Sequence, residues 1–188
     1  EGGYAYDVAV SLSRDRGRSW SPPLNPHRDG TPTEHGFVTL FPWQGGAGAV
    51  WLDGREMLAS GHGHGHDHGH AGARQAAHGG GMTLRTALIG ADGALREEAL
   101  LDGLTCDCCQ TDVALTDAGP VVFYRDRSAE EIRDIYAVRH GPQGWTPPAA
   151  VAADGWRIEG CPVNGPAADA HGRDVAVAWF TAAEDRPR

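Results

Sequence analysis

No lysine occurs in this chain of 188 residues. All 16 basic residues are arginine, and against 25 acidic ones they leave a formal net charge of −9. A balance this acidic excludes general nucleic-acid binding, which rests on neutralising phosphates. Long apolar runs are missing too, and none approaches the ~20 residues of a membrane helix, so no membrane span is expected. The 27 glycines and 12 prolines follow no three-residue period, which excludes a collagen-like rod. There is no basic-then-apolar leader, and the first residue is Glu1 rather than Met, which reads as a processed or truncated product. Sustained helical periodicity is also lacking. The best stretch, Ala91 to Leu101, is cut by glycine at its start.

What is present reads as short strands between Gly, Pro and Asp turns. Tyr4–Leu12, Gly36–Phe41, Ala49–Leu52, Met82–Ile89, Thr111–Leu115, Pro120–Tyr124, Arg133–Arg139 and Asp174–Phe180 are the candidates, each rich in β-branched or aromatic residues. Two patterns repeat. Arg18-Ser-Trp-Ser-Pro-Pro-Leu24 returns as Gln143-Gly-Trp-Thr-Pro-Pro-Ala149, each after a strand opening at an Asp, Asp7 or Asp134. Gly48-Ala-Val-Trp-Leu-Asp53 returns as Pro120-Val-Val-Phe-Tyr-Arg125 and Val175-Ala-Val-Ala-Trp-Phe180. With the Gly/His-rich insert 61–81 set aside, these intervals come close to the ~40–50 residues of a β-propeller blade. A four-stranded blade cannot bury both faces alone, so blades stack about an axis.

The stretch Ser13-Arg-Asp15-Arg-Gly17-Arg-Ser-Trp20 has the pattern Ser-x-Asp-x-Gly-x-x-Trp, which resembles the Asp-box (BNR repeat) of sialidase-like β-propellers. Asp15 is expected to accept backbone N–H groups in the turn, Gly17 to supply an unusual φ, and Trp20 to pack between blade sheets. From Thr105 to Phe180 the chain also resembles a bacterial sialidase-like (exo-α-sialidase) family, through Cys106-Asp-Cys-Cys-Gln-Thr111, Tyr124-Arg-Asp-Arg-Ser128 and Gly160-Cys-Pro-Val-Asn-Gly-Pro166. The resemblance implies a six-bladed propeller in an exported protein, periplasmic or secreted. The expected fold is therefore all-β, covering about three blades: a half blade over 1–30, a blade over 31–104 carrying the insert, a blade over 105–157 and a half blade over 158–188. The remaining blades are expected from further sequence rather than from a second chain.

Three constellations carry candidate chemistry. In the insert, alternate residues of an extended chain point the same way, so His62, His64, His66, His68 and His70 present imidazoles along one side, with His78 following. Neutral imidazole suits Zn(II), Cu(II) and Ni(II). Most of this loop is expected to lack fixed structure without metal. The second constellation is Cys106, Cys108 and Cys109 before one blade and Cys161 before the next, starts that a propeller brings together. Thiolates select Cu(I) or Zn(II). The competing reading is one or two disulfides, and since the adjacent Cys108 and Cys109 do not bond to each other comfortably, Cys161 is the natural partner of one of them. A disulfide would still leave a thiol pair. The third is a set of rim arginines, Arg55, Arg125 and Arg127, in a fold whose sialidases clamp a carboxylate with three guanidinium groups. Tyr124 as nucleophile, with Glu130 and Asp126 as acidic partners, would complete a glycosidase, although the Phe/Tyr-Arg-Ile-Pro motif of the family is absent. Paired surface charges are the plainer account of these arginines.

Metal binding, with copper first and zinc next, is thus the leading function. A sialidase-like hydrolase acting on an acidic sugar and a disulfide-bonded scaffold for a protein partner are the alternatives.

Overall fold

The computed structural model describes residues 5–59 and 80–187. It is all-β apart from a single five-residue helix and one 3-10 turn among the described residues. β1 (His35–Trp43), β2 (Gly46–Asp53), β3 (Thr83–Ile89) and β4 (Leu95–Asp102) form a four-stranded antiparallel sheet in sequence order. The short helix α1 (Arg55–Ala59) follows β2, its first turn held by the Arg55 N–H donating to Asp53 Oδ1 at 3.1 Å. β5 (Asp112–Thr116), β6 (Gly119–Arg125), β7 (Ile135–Gly141), β8 (Gly144–Trp145) and β9 (Ala149–Ala150) form the second sheet, where both β8 and β9 pair with β7. A hairpin of β10 (Ala167–His171) and β11 (Asp174–Ala178) follows.

Burial explains this layout. The central strands β2 and β6 are near-continuous buried runs, the signature of strands covered on both faces. One face of the first sheet meets the second sheet across Phe41, Trp43, Val50, Leu52, Met82, Leu84, Val122, Tyr124 and Val138. Its other face holds the segment before β1 through Val8, Val10, Trp51 and Ile89. The far side of the second sheet, with Ala114, Val121 and Phe123, packs on Ala168, Ala170 and Val177 of the hairpin. The first strands of successive sheets lie side by side. The Thr39 hydroxyl of β1 donates to the Thr111 carbonyl at 2.7 Å, and the Ala168 N–H of β10 donates to Asp112 of β5 at 2.7 Å.

Several expectations are corrected. Residues 91–101, absent from the strand candidates, make the β3–β4 turn and β4: Gly93 at φ +79° closes the hairpin, and the polar Arg96, Glu97 and Glu98 sit on an outer strand. Tyr4–Leu12 yields no regular strand over its described residues, only isolated pairings of Tyr6 with Glu34 and Val10 with Leu24. The Ser13–Trp20 turn has the expected bonding: Asp15 accepts from Arg18 N–H at 3.0 Å and Ser19 N–H at 2.9 Å, with Gly17 at φ +80°. Bonds from Ser19 and Ser13 hold the Asp15 carboxyl down at about 2. Trp20, however, is 64 % exposed. Its counterpart Trp145 does fill a gap between sheets, edge-on to Trp43 of the preceding sheet at 5.5 Å. No sheet precedes the Ser13–Trp20 turn among the described residues, so no earlier sheet covers Trp20 there.

Candidate metal centre

The cysteine cluster is built where two loops meet. The first loop leaves β4, pairs Thr105 with Asp126, and anchors Cys106 by its N–H donating to the Arg125 carbonyl at 3.0 Å. The second runs from Cys161 to β10 and presses on the first at Gly165, where any Cβ would lie 2.0 Å from the Gln110 carbonyl oxygen. Only glycine allows that approach. Cys108 is disulfide-bonded to Cys161, with Cα atoms 6.2 Å apart. Cys106 and Cys109 remain free and buried, their sulfurs 3.2 Å apart, and the Cys106 sulfur lies 3.9 Å from that of Cys108.

Electrostatics divides the free pair. A hydrogen bond from Cys109, with the nearby Arg133 guanidinium assisting, lowers the Cys106 thiol to about 6. Holding that bond, and being buried, pushes Cys109 far up. The opposite shifts make Cys106 the sulfur that ionises first, with Cys109 donating to it. Arg133 donates Nη1–H to the Cys106 sulfur at 3.1 Å and Nη2–H to Glu131 at 2.7 Å. A buried, cation-flanked thiolate is a soft nucleophile and a soft metal ligand. The sulfurs of Cys106, Cys108 and Cys161 all lie within 4.8 Å of one another. Sulfurs around one tetrahedral zinc sit ~3.8 Å apart, given Zn–S bonds of about 2.3 Å. With the Cys108–Cys161 bridge closed, only Cys106 and Cys109 carry free thiols; opening it would bring the sulfurs of Cys108 and Cys161 into reach of the same ion.

The rim residues do not assemble as a carboxylate clamp. Arg125 is 2 % exposed, and its Nε, Nη1 and Nη2 donate to the carbonyls of Asn164, Arg133 and Phe180 at 2.9, 2.6 and 2.8 Å. Arg127 pairs with Asp107 and Glu131, at 3.0 and 2.7 Å. Arg55 grips Asp53 with two nitrogens and reaches Glu98 at 2.9 Å. Tyr124 is fully buried and donates to Asp102 at 2.5 Å, so its partner is Asp102 rather than Glu130, which lies exposed in the Ser128–Ile132 turn. His62, His64, His66, His68, His70 and His78 lie outside the described residues.

Asp126 stands close to Asp102, and burial together with that neighbouring charge raises its carboxyl to about 7. The folded state therefore holds a proton between about pH 4 and pH 7 that the unfolded chain releases, so this group's contribution to stability falls as pH rises through that window. Asp126→Asn is expected to flatten the dependence. Thermal midpoints at pH 5 and pH 7 check it: the drop from pH 5 to pH 7 should be smaller in the variant than in the parent, and equal drops would assign the proton elsewhere.

The sequence reading missed one cluster. Asp7, His27, Asp29, His35 and Asp53 meet on the first sheet, beside Arg55. Burial pushes Asp53 up, but bonds from Arg55 and Trp51 outweigh it and hold the carboxyl low. In the sequence Asp7 reads only as a strand start, and the eight-residue step from His27 to His35 matches no familiar ligand spacing.

Compared with family models, with curated proteins and with solved structures, the chain shows no match.

Proposed function

We propose that this protein is an exported, sialidase-like β-propeller that binds a soft transition-metal ion, with copper(I) preferred and zinc second. One observation carries the reading: four cysteine sulfurs from two distant loops converge, and two of them are free, buried and 3.2 Å apart. With the Cys108–Cys161 bridge closed, Cys106 and Cys109 offer two sulfurs. That is too few for the four-coordinate zinc of structural sites, but it suits copper(I), which thiolates select. Reduction of the bridge would supply four sulfurs and admit zinc. The bridge itself favours an oxidising compartment, periplasmic or secreted. Stacked sheets with adjacent first strands support the propeller, and the exposed Trp20 is the face a further blade would cover. The histidines of the insert would collect ions at lower affinity, and a protein partner would meet the loops.

Metal analysis of the untagged protein, paired with thiol counting, tests this. The denatured, unreduced chain should give two thiols, and the reduced chain four. At least one equivalent of copper or zinc is expected in the parent, with a loss of the tightly held equivalent in Cys106→Ser. A count of zero thiols with no bound metal would leave the disulfide scaffold standing.

A further inference from the structure

We propose that the four cysteines form a thiol–disulfide exchange site, in which buried Cys106 and Cys109 pass an electron pair through the Cys108–Cys161 bridge to an outside disulfide that docks at exposed Cys161. The exchange uses the sulfurs alone and does not require the metal reading.

The four residues are graded in exposure. Cys106 and Cys109 are 0 % and 2 % exposed, Cys108 is half-buried and Cys161 is exposed. The free pair has Cys-x-x-Cys spacing, Cys106-Asp-Cys-Cys109, and its sulfurs stand 3.2 Å apart. Closing that gap to the ~2.05 Å of a disulfide takes a small side-chain rotation. The Cys106 sulfur also lies 3.9 Å from that of Cys108, so one nucleophile borders both possible partners. A bulky disulfide cannot reach the buried pair directly, but it can reach Cys161.

The internal steps balance without any added oxidant. The Cys106 thiolate attacks the Cys108 sulfur; the Cys106–Cys108 bond forms, the Cys108–Cys161 bond breaks, and the electron pair leaves on Cys161. Cys109 then attacks the Cys106 sulfur, its proton passing to a departing sulfur. The Cys106–Cys109 bond forms, and Cys108 leaves as a thiolate. Cys161 next attacks the outside disulfide and releases one thiolate from it. Cys108 attacks Cys161 in the mixed disulfide, which closes the bridge again and releases the second. The net result is a Cys106–Cys109 disulfide and an outside disulfide reduced to two thiols. An outside dithiol reverses the sequence and restores the free pair.

The surroundings favour these steps on both sides of the bridge. On the attacking side, buried Arg133 donates Nη1–H to the Cys106 sulfur at 3.1 Å, and a cation there favours the anionic sulfur that attack requires. On the leaving side, Val163 lies two residues after Cys161 at φ +51°, which β-branched residues avoid, so parting the bridge lets that stretch relax. The loop stays docked meanwhile, because Gly165 abuts the Gln110 carbonyl and Arg125 holds the Asn164 carbonyl at 2.9 Å. Cys161 thus remains within reach of the other sulfurs. The competing reading has Cys106 and Cys109 only filling the interior beside a structural bridge, and it requires that no sulfur ever change partner.

The test treats the full chain, held in chelator without oxygen, with a polyethylene-glycol maleimide too large to enter the interior. Alkylated and bridged residues are then mapped by mass spectrometry. Label is expected on Cys161 and Cys108 with a new Cys106–Cys109 bond, although the labelled two are bridged at the start. Cys106→Ser removes the nucleophile and should slow labelling of Cys161 at least about 100-fold. Cys109→Ser should halt after the first step, with label on Cys161 and a Cys106–Cys108 bond. Thermal midpoints confirm that each variant keeps its fold. In a second arm, excess oxidised glutathione should yield two glutathiones per chain from the parent and none from Cys106→Ser. Label on Cys106 or Cys109 with the bridge intact, no label at all, or no glutathione released would overturn the proposal. No ion is present in either arm, so a chain that fails to bind metal can still pass, and one that binds metal can still fail.

Discussion

Arg125→Ala should lower the unfolding free energy by about 4 kcal/mol, a large share of the ~5–15 kcal/mol that holds a domain folded. The guanidinium sits in the interior with donors on three carbonyls, from Asn164, Arg133 and Phe180, and lies 5.0 Å over the Trp156 ring. Removing it leaves three acceptors without that donor, each buried one costing about 1–3 kcal/mol, less what is regained by no longer burying a cation. It also unties β6 from two later segments of the chain. Arg127 makes the contrast. Its partners Asp107 and Glu131 are carboxylates near the surface, and its side chain is one-quarter exposed. Arg127→Ala should cost about 1 kcal/mol or less. Urea unfolding of both variants decides the matter. Similar small losses would show that Arg125 is not structural and return it to the candidate ligand-binding residues.

Trp51→Ala is expected to cost about 4 kcal/mol. The side chain is fully buried among Val8, Val10 and Ile89, and its Nε1–H donates to Asp53 at 2.8 Å. Cavity formation is one part of the loss. The other is the lost Nε1–H bond to Asp53, a fully buried carboxylate that would then rest on Arg55 alone at that oxygen. Because Trp51 is the platform for the segment carrying Asp7, the variant should also open that segment to protease ahead of the sheets. Limited proteolysis with urea unfolding checks both parts. A stable variant whose early segment stays protected would place the anchoring elsewhere.

Much of the architecture was legible because burial writes itself as pattern. β2 and β6 are apolar runs of the right length between turn residues, and the recurrence of Trp51 as Phe123 marked equivalent strands. β4 was obscured because its Arg96-Glu-Glu98 centre faces water and lacks alternation. The Ser13–Trp20 turn was legible because its bonds are local. The fate of Trp20 was not, since a tryptophan needs a neighbouring surface that no local pattern specifies. Cysteine clustering could be read, and Cys161 was the natural partner, but choosing Cys108 over Cys109 depends on side-chain direction. Arg55 follows Trp51 by four residues, as Arg127 follows Phe123, yet the two side chains end differently. Arg55 turns back to Asp53, whereas Arg127 reaches Asp107 and Glu131. The His27–His35 cluster draws on Asp7 and Asp53 from separate segments, so only the folded chain assembles it.

The Cys108–Cys161 bond also has a mechanical meaning. It joins residues 53 apart, and the strands of the whole second sheet lie between them. Tension applied at the two ends passes through the sulfur bridge and bypasses that sheet. At up to ~3.5 Å per extended residue, about 180 Å of contour is withheld from stretching until the bridge is cut. The second sheet is thus a load-shielded segment, and a reductant, rather than force, decides when it can be drawn out.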